Sequence, residues 1–279
     1  MGKALVVVAL RQVDPFATVD PLTGTVYAQP RGGLSTADEC ALEHALRMAE
    51  SLDARCLACT VGPQEADEVL RTALAAGATE ALRVAGEPAS EGHTARLLTE
   101  AIRARYADPA LLLCGDYSMD RGTGATPALL AARFGASQAL GLVELTSHNG
   151  GLRAERRLDC GRRERLAIEL PAVCSVEPST VRLRRASLPG LLAAREAEIP
   201  VASPAESFVD TRIRRRARTA YRPRTRAIAA PAGAAPGQRV RALTGALTEH
   251  EPPRLVFPAN AAAAASELLD YLEQRGYLP

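Results

Sequence analysis

The chain has 279 residues, a formal net charge of +2 at pH 7, no Trp and only 4% aromatic residues. That length holds one large α/β domain with extensions, or two small domains. The near-neutral balance excludes a polycation, and no apolar run is long enough for a transmembrane helix, so no membrane insertion is expected.

Met1-Gly2-Lys3 followed by ALVVVAL has the outline of a short signal peptide, but the apolar run is too short and Arg11 follows at once, so it reads as a first strand. Lys3 to Leu10 is nearly continuous in apolar residues, as a strand buried on both faces is. Arg11-Gln12-Val13-Asp14-Pro15 ends it, and Asp20 to Tyr27 reads as a small hairpin or extended loop. Ser35 opens a helix that runs to about Leu52. Ser35 and Asp38 stand at capping-box spacing, Glu39 adds negative charge to the first turn, and Cys40, Leu42, Ala45, Leu46 and Ala49 supply a broad apolar face. Arg55 to Val61 is a second strand, closed by Gly62-Pro63. Within it Cys56-Leu57-Ala58-Cys59 matches C-x-x-C by spacing, but inside a strand rather than at a helix start, so it reads as packing rather than redox or metal chemistry. The other cysteines sit mostly in apolar contexts and the four His show no metal-ligand spacing, which fits a reducing, cytoplasmic location. Glu65 to Ala76 is a helix ended by Gly77, Glu80 to Val84 a third strand, Gly86 to Gly92 a loop, and Thr94 to Tyr106 a helix.

Ala110 to Cys114 is a fourth strand. It breaks at Gly115 into a polar loop from Asp116 to Thr126, and a helical pattern resumes at Pro127, which suits a first turn with Thr126 as cap. In parallel α/β sheets ligands sit beyond the carboxyl ends of the strands, where helix N-termini offer free N–H groups to anions. This loop is therefore the candidate nucleotide site; the competing reading is an ordinary βα turn with a glycine for geometry. Leu140 to Leu145 is a further strand. The β-α alternation is the signature of an α/β fold with a doubly wound, mostly parallel sheet. After Ser147 the texture changes: Leu152 to Leu158 and Arg165 to Leu170 alternate apolar with charged residues around Asp159-Cys160-Gly161, a β-hairpin insertion with one solvated face. Pro171 to Val176 is again a buried strand, and Ser187-Leu188-Pro189-Gly190 starts a short helical segment ending near Ala197. From Pro200 to Pro253 the chain is rich in Pro, Ala and Arg, with eight arginines between Arg212 and Arg226. Such an arm has little structure of its own. Its composition permits phosphate neutralisation, but no aromatic platform accompanies it and a basic arm lies equally well on an acidic partner, so no nucleic acid is expected. Ala261 to Gly276 is a final amphipathic helix with Leu268, Leu269 and Leu272 on one side, which suggests that the arm ends docked.

Four separated stretches then agree with one family. VVVALRQVDP (Val6 to Pro15), ADECALEHALRMAE (Ala37 to Glu50), TVGPQEADEVLRTALAAGATEALRV (Thr60 to Val84) and LPAVCSVEP with ASLPGLLAAREAEI (Leu170 to Ile199) share order and spacing with the β subunit of electron transfer flavoprotein, the FixA-like family, which the chain resembles over about Lys3 to Pro200. The resemblance implies a heterodimer with an α subunit. FAD lies mainly in α, and the β chain is an adenine nucleotide α-hydrolase-like domain that holds AMP or, in some members, a second FAD. The family's nucleotide contacts fall on Ala9 and Arg11, on Ser35, Thr36, Ala37 and Asp38, on Val61, and on Cys114, Gly115, Asp116, Tyr117, Ser118, Met119, Asp120, Arg121, Gly122, Thr123, Gly124 and Ala125. Phe16 stands where members often carry an aromatic residue facing the flavin of α, and Leu188 matches the leucine of the recognition loop that anchors a partner dehydrogenase. The electron carrier has no catalytic residue of its own on this reading, and no metal.

The departures from the family pattern are local. Where members read Gln-Ala-Ile-Asp-Gly-Asp, this chain has Tyr117-Ser118-Met119-Asp120-Arg121-Gly122; the usual Asn-Pro-aromatic helix start is Ser35-Thr36-Ala37; and the Arg-rich arm is atypical. They suggest a specialised paralogue serving an unusual dehydrogenase, such as one of a redox system built round the peptide-derived cofactor mycofactocin. The expected organisation is a nucleotide-binding domain over residues 1–200, with a recognition loop near 182–199, and an arm over 201–279 whose last helix docks on the partner subunit. Two other classes share the fold class. An ATP-using enzyme would need a phosphate-gripping Ser-Gly-Gly run or P-loop, and neither is present. A nucleotide sensor would not need the long chain beyond the sheet.

Overall fold

The computed structural model describes residues 3–27, 32–87, 90–148, 151–204, 235–244 and 255–277. The chain divides into two compact units, Met1–Tyr221 and Arg222–Pro279.

In the first unit the strands and helices run β1 (Leu5–Ala9), β2 (Thr18–Val19), β3 (Val26–Tyr27), α1 (Thr36–Ser51), β4 (Arg55–Gly62), α2 (Asp67–Ala76), β5 (Glu80–Ala85), α3 (Glu91–Arg103), β6 (Leu111–Gly115), α4 (Thr126–Phe134), β7 (Ser137–His148), β8 (Gly151–Arg157), β9 (Arg163–Ile168), β10 (Ala172–Val176), α5 (Leu188–Glu196) and β11 (Val201–Ala202). Nine strands form one sheet in the order β11-β5-β4-β1-β6-β10-β7-β8-β9, and β2 and β3 make a separate ladder. From β11 to β7 every pairing is parallel; β8 and β9 add an antiparallel edge. The expected doubly wound α/β sheet with a hairpin insertion is what the chain forms.

β1 can sit at the centre because LVVVA is buried throughout. Val6 and Val8 pack with α1 and α2 on one face, while Leu5 and Val7 pack with α3 and α4 on the other. The crossovers from β1 through α1 and α2 lead one way across the sheet, to β4 and β5. The chain then returns through α3 to β6 on the other side of β1. The strand order therefore reverses between β1 and β6, and the crevice at their carboxyl ends is where a doubly wound fold opens to a ligand.

Three boundaries differ from expectation. Helix α3 begins at Glu91, not Thr94, because the Ser90 side chain accepts the N–H of His93 and caps the turn; Tyr106 lies past its end. Thr126 is inside α4 rather than its cap: Ala125 holds that position, with no side-chain bond. Strand β7 is twelve residues long, because its first half pairs in parallel with β10 and its second half antiparallel with β8. The change of partner coincides with Gly141 at φ +67°, whose N–H donates to Ser175 Oγ at 3.0 Å. That conformation strains a side chain-bearing residue.

After β10 the chain runs outside α1 and α2 and ends in β11 at the far edge, beside β5. Arg184 anchors this strap on α1 by bonds to Glu43 and Glu50.

In the second unit the described helices are α6 (Pro236–Leu243) and α7 (Ala261–Gln274), the latter capped by the Asn260 side chain accepting the N–H of Ala263 at 2.9 Å. Leu268, Leu269 and Tyr271 are exposed on α7. The arginines from Arg212 to Arg226 lie outside the described residues. Among the described residues, no helix is long and apolar enough to cross a membrane.

Candidate functional site

At the reversal of strand order, Ala9 of β1 stands in register between Cys59 of β4 and Cys114 of β6. The N-terminus of α1 is set directly against these strand ends. Ser35 is extended, accepts the N–H of Asp38 at 3.1 Å, and returns its hydroxyl proton to Asp38 Oδ2 at 2.8 Å. The backbone N–H groups of Arg11 and Gly115 also point at the Asp38 carboxyl. One buried carboxyl group thus ties together β1, β6 and α1. Gly115 is required for this approach, since a Cβ there would lie 2.9 Å from Ala37 Cβ. Desolvation outweighs these hydrogen bonds and raises the Asp38 carboxyl to about 7.

That shift fixes a pH dependence. The folded value lies above the ordinary 3.8, so the fold retains a proton that the unfolded chain loses. Stability from this group is full below about pH 4, falls as pH rises towards 7, and stays reduced above. Asp38→Asn is expected to gain on the wild type by on the order of 2 kcal/mol between pH 5 and pH 8, read from urea unfolding at each pH. A difference between the two proteins that stays constant over that range would refute the assignment.

The loop after β6 closes over the crevice. Arg11 reaches it with one edge of its guanidinium: Nε donates to Asp120 Oδ1 at 2.7 Å and Nη2 donates to Oδ2. The Ser118 hydroxyl donates to Asp120 Oδ1 at 2.7 Å. Burial pulls the Asp120 carboxyl up, but Arg11 and Ser118 outweigh it and hold it below its ordinary value. Within the loop, Ser118 N–H donates to Thr123 O and Gly122 N–H to Ser118 O, a turn that needs Gly122 at φ +68°. On the opposite side Glu91, in the first turn of α3, accepts from Thr123 Oγ1 at 2.9 Å and lies 3.9 Å from Arg121. Its own backbone N–H, Thr123 and Arg121 together keep its carboxyl low, against burial. Asp116 behaves differently. Its Oδ1 is buried without a hydrogen-bond partner, and desolvation, then Glu177, raises its carboxyl.

Beneath the loop lies a cavity of about 70 Å³, room for a few waters or one tetrahedral anion. Of the residues implied by resemblance, Ala9, Arg11, Asp38, Cys114, Gly115, Tyr117, Ser118, Met119, Arg121, Thr123 and Gly124 line it. Ser35 and Asp120 stand just behind, through their bonds to Asp38 and Arg11. Ala37 packs on Gly115, and Asp116 packs against Gly124. Thr36 begins α1, Val61 is near the end of β4, and Gly122 and Ala125 shape the loop and the start of α4 without lining the cavity. Phe16 stands apart, 79% exposed, in the turn before β2. Glu91, Thr94, Val13, Leu98, Thr126 and Pro127 also line the cavity. Thr126 closes the loop that the sequence offered as the site and Pro127 opens the helix beside it; the other four were not selected, and Ser90 and Glu91, a cap and a first-turn acid, were the available signal for Glu91.

The residues fit the anionic end of a nucleotide. α4 enters the cavity wall with no side-chain cap, so its first N–H groups have no intrahelical partner and its dipole favours an anion there. Arg11 and Arg121 add positive charge, and with Ser118 and Thr123 they already face Asp120 and Glu91, so an anion competes with these carboxylates for them. The volume does not take a whole nucleoside as well, so that part would extend over the mouth, where Tyr117 and Met119 are exposed.

The cysteines do other work. Cys56 and Cys59 face opposite sides of β4, in separate halves of the core, and burial pushes both thiols up to about 12. They neither share a metal nor present a thiolate, as the packing reading expects. Among the described residues, no group of three His, Cys, Asp or Glu is arranged to hold a metal ion.

A second exposed feature lies on the strap. Ser187 caps α5 by accepting the N–H of Gly190 at 3.1 Å. The helix then buries Ala194 and turns Leu188, Leu191 and Leu192 to solvent at 68%, 51% and 54% exposure.

The profile of the Electron transfer flavoprotein domain family matches residues 23–207. The chain is similar to Electron transfer flavoprotein subunit beta of Homo sapiens, 29% identical over 218 residues covering 75% of this chain and 85% of that one. The mitochondrial Electron transfer flavoprotein subunit beta of Oryza sativa subsp. japonica is 30% identical over 215 residues, 74% of this chain and 85% of that one. Electron transfer flavoprotein subunit beta of Bradyrhizobium diazoefficiens is 28% identical over 193 residues, 69% and 77% respectively.

Proposed function

Because the chain belongs to the electron transfer flavoprotein family and has its β-subunit role, we propose that it pairs with an α subunit holding FAD, binds AMP at the crevice between β1 and β6, and meets a partner dehydrogenase through α5. The observation that carries the nucleotide reading is the convergence of an uncapped helix N-terminus and two arginines on one anion-sized cavity at the reversal of strand order.

The bound flavin supplies the electron chemistry. The residues of this chain bind and orient. The first turn of α4 would donate to phosphate, Arg11 and Arg121 would add charge-assisted bonds in competition with Asp120 and Glu91, and Asp38 holds the strand ends and α1 in one geometry. Phe16, exposed on its turn, is available to the flavin of α. No side chain in the crevice is required to turn over a substrate, and this chain acts without a reaction of its own. Residues 1–200 are the nucleotide-binding domain, and the arm over 201–279, with the exposed leucines of α7, docks on the partner subunit. Six free cysteines, five of them buried, support a reducing, cytoplasmic location. The Tyr117–Gly122 run and the Arg-rich arm support a specialised paralogue with a dedicated dehydrogenase.

Co-expression with the α subunit is expected to yield a one-to-one complex with a flavin absorption spectrum, while the β chain alone shows none. Nucleotide released by denaturing that complex should be AMP. A flavin-free monomer under both conditions would overturn the carrier reading; FAD in twofold excess over heterodimer would overturn the AMP assignment alone.

A further inference from the structure

Helix α5 has nine residues, too few to persist by local bonding. The chain leaves it at Ala197 in an extended conformation (φ −62°, ψ 133°), not in the left-handed turn that commonly satisfies the last carbonyls. Those carbonyls meet Arg71 instead. Arg71 projects from α2, and its Nη1 lies 2.6, 3.0 and 3.1 Å from the carbonyl oxygens of Ala194, Arg195 and Ala197. One guanidinium nitrogen thus gathers three acceptors, and its charge complements the negative end of the helix dipole. The seat is close at the other end of α5 as well: a Cβ on Gly190 would come within 2.9 Å of Ala75 O, at the end of α2. The face of α5 turned away from α2 carries Leu188 and Leu192, and Leu191, also exposed, borders the groove between the two helices.

We propose that Arg71 is the positioning residue of this leucine face, holding α5 on α2 in the one orientation in which the leucines enter a partner flavoprotein. The inference rests on the reading that α5 meets such a partner. Arg71 makes no contact with the partner itself; it acts through the leucines, which supply the desolvated apolar anchor that dominates small docking surfaces. Its side chain is committed to backbone acceptors, so a shorter or neutral residue frees the end of α5 without disturbing the crevice between β1 and β6.

The test uses the flavin-loaded heterodimer. The probes are flavoprotein dehydrogenases of the source organism, purified singly, that reduce the wild-type flavin and are slowed by Leu188→Ala. With such a probe, Arg71→Ala is expected to raise KM for the dehydrogenase about tenfold while kcat and flavin content stay at the wild-type level. Arg71→Lys, which keeps one cationic donor, should recover most of the loss. The double variant Arg71→Ala/Leu188→Ala should be no worse than Leu188→Ala alone, because both changes remove the same docking contact. Hydrogen exchange should quicken at α5 amides and nowhere near β6. An unchanged KM, effects that multiply in the double variant, or unchanged exchange in α5 would overturn the proposal. If Leu188→Ala slows no dehydrogenase, the partner reading fails instead, and exchange in α5 still decides whether Arg71 holds the helix.

Discussion

Glu43→Ala is expected to lower the unfolding free energy by about 3 kcal/mol, the scale for breaking a buried ion pair from one side. The Glu43 side chain is only 4% exposed. It accepts from Arg47 Nε at 2.7 Å and from Arg184 through its backbone N–H at 3.1 Å, Nε at 3.0 Å and Nη2 at 3.2 Å. Removing the carboxylate leaves a guanidinium against α1 with Glu50 as its remaining acid, which is why the expected loss sits at the lower end of that scale. Glu43→Gln keeps the shape and one acceptor and should lose about half as much. Burial raises the Glu43 carboxyl, but Arg184 and Arg47 outweigh it, so the folded value lies below the ordinary 4.5. The stabilisation is therefore complete above about pH 4.5 and vanishes as pH falls through the lower folded value. Urea midpoints for wild type and Glu43→Ala should converge in acid and separate near neutrality. Equal midpoints at pH 7 would mean that the strap is held by other contacts.

Gly124→Ala should abolish nucleotide retention, with AMP affinity reduced at least tenfold, while the sheet stays intact. A Cβ at residue 124 would lie 2.2 Å from the carbonyl oxygen of Asp116. That neighbour is backbone, itself fixed by the Asp116 N–H bond to Val176 O at 3.0 Å, so the two ends of the loop must separate. The separation dislodges Ser118, Thr123 and the entry to α4, which together wall the cavity. Gly33→Ala is the matched control, since a Cβ there meets nothing within 4 Å. Titration of the heterodimer with AMP, beside far-ultraviolet circular dichroism, reads both properties. Wild-type affinity in Gly124→Ala would show that the loop does not shape the site.

Much of the fold was legible because it is written locally. The unbroken apolar run of β1 announces a strand buried on both faces, Gly77 ends α2, and the Ser35–Asp38 spacing marks the start of α1. The shortfalls have long-range causes. β7 was expected to be half its length because only pairing with two different neighbours reveals its full span. Arg11 and Arg121 stand among the nucleotide contacts that the resemblance implies, but the sequence does not show that Asp120 and Glu91 oppose them in the fold; the Arg11–Asp120 bond joins residues 109 positions apart. An incoming phosphate must therefore compete with a resident carboxylate for Arg11. Arg71 carries no local mark either, since an arginine on an amphipathic helix ordinarily reads as a solvated face, and its carbonyl partners lie 123 to 126 positions later. The apolar pattern names the core, but it does not say which charged side chains will be drawn inward to satisfy a distant backbone.

The strap that begins after β10 and ends as β11 beside β5 also imposes an order on biosynthesis. Its closing ladder sets Val201 against Arg83 and Ala202 against Val84, contacts of large sequence separation that are made late in folding because the intervening loop must first be closed. Its first anchor, Glu43, belongs to α1, and the seat of α5 is α2, both near the beginning of the chain. A chain that stops short of Val201 already has Arg184 and the seat of α5, and lacks only the ladder that covers the edge of β5. The belt thus closes last, over a sheet edge, β5, that must already be formed to receive it.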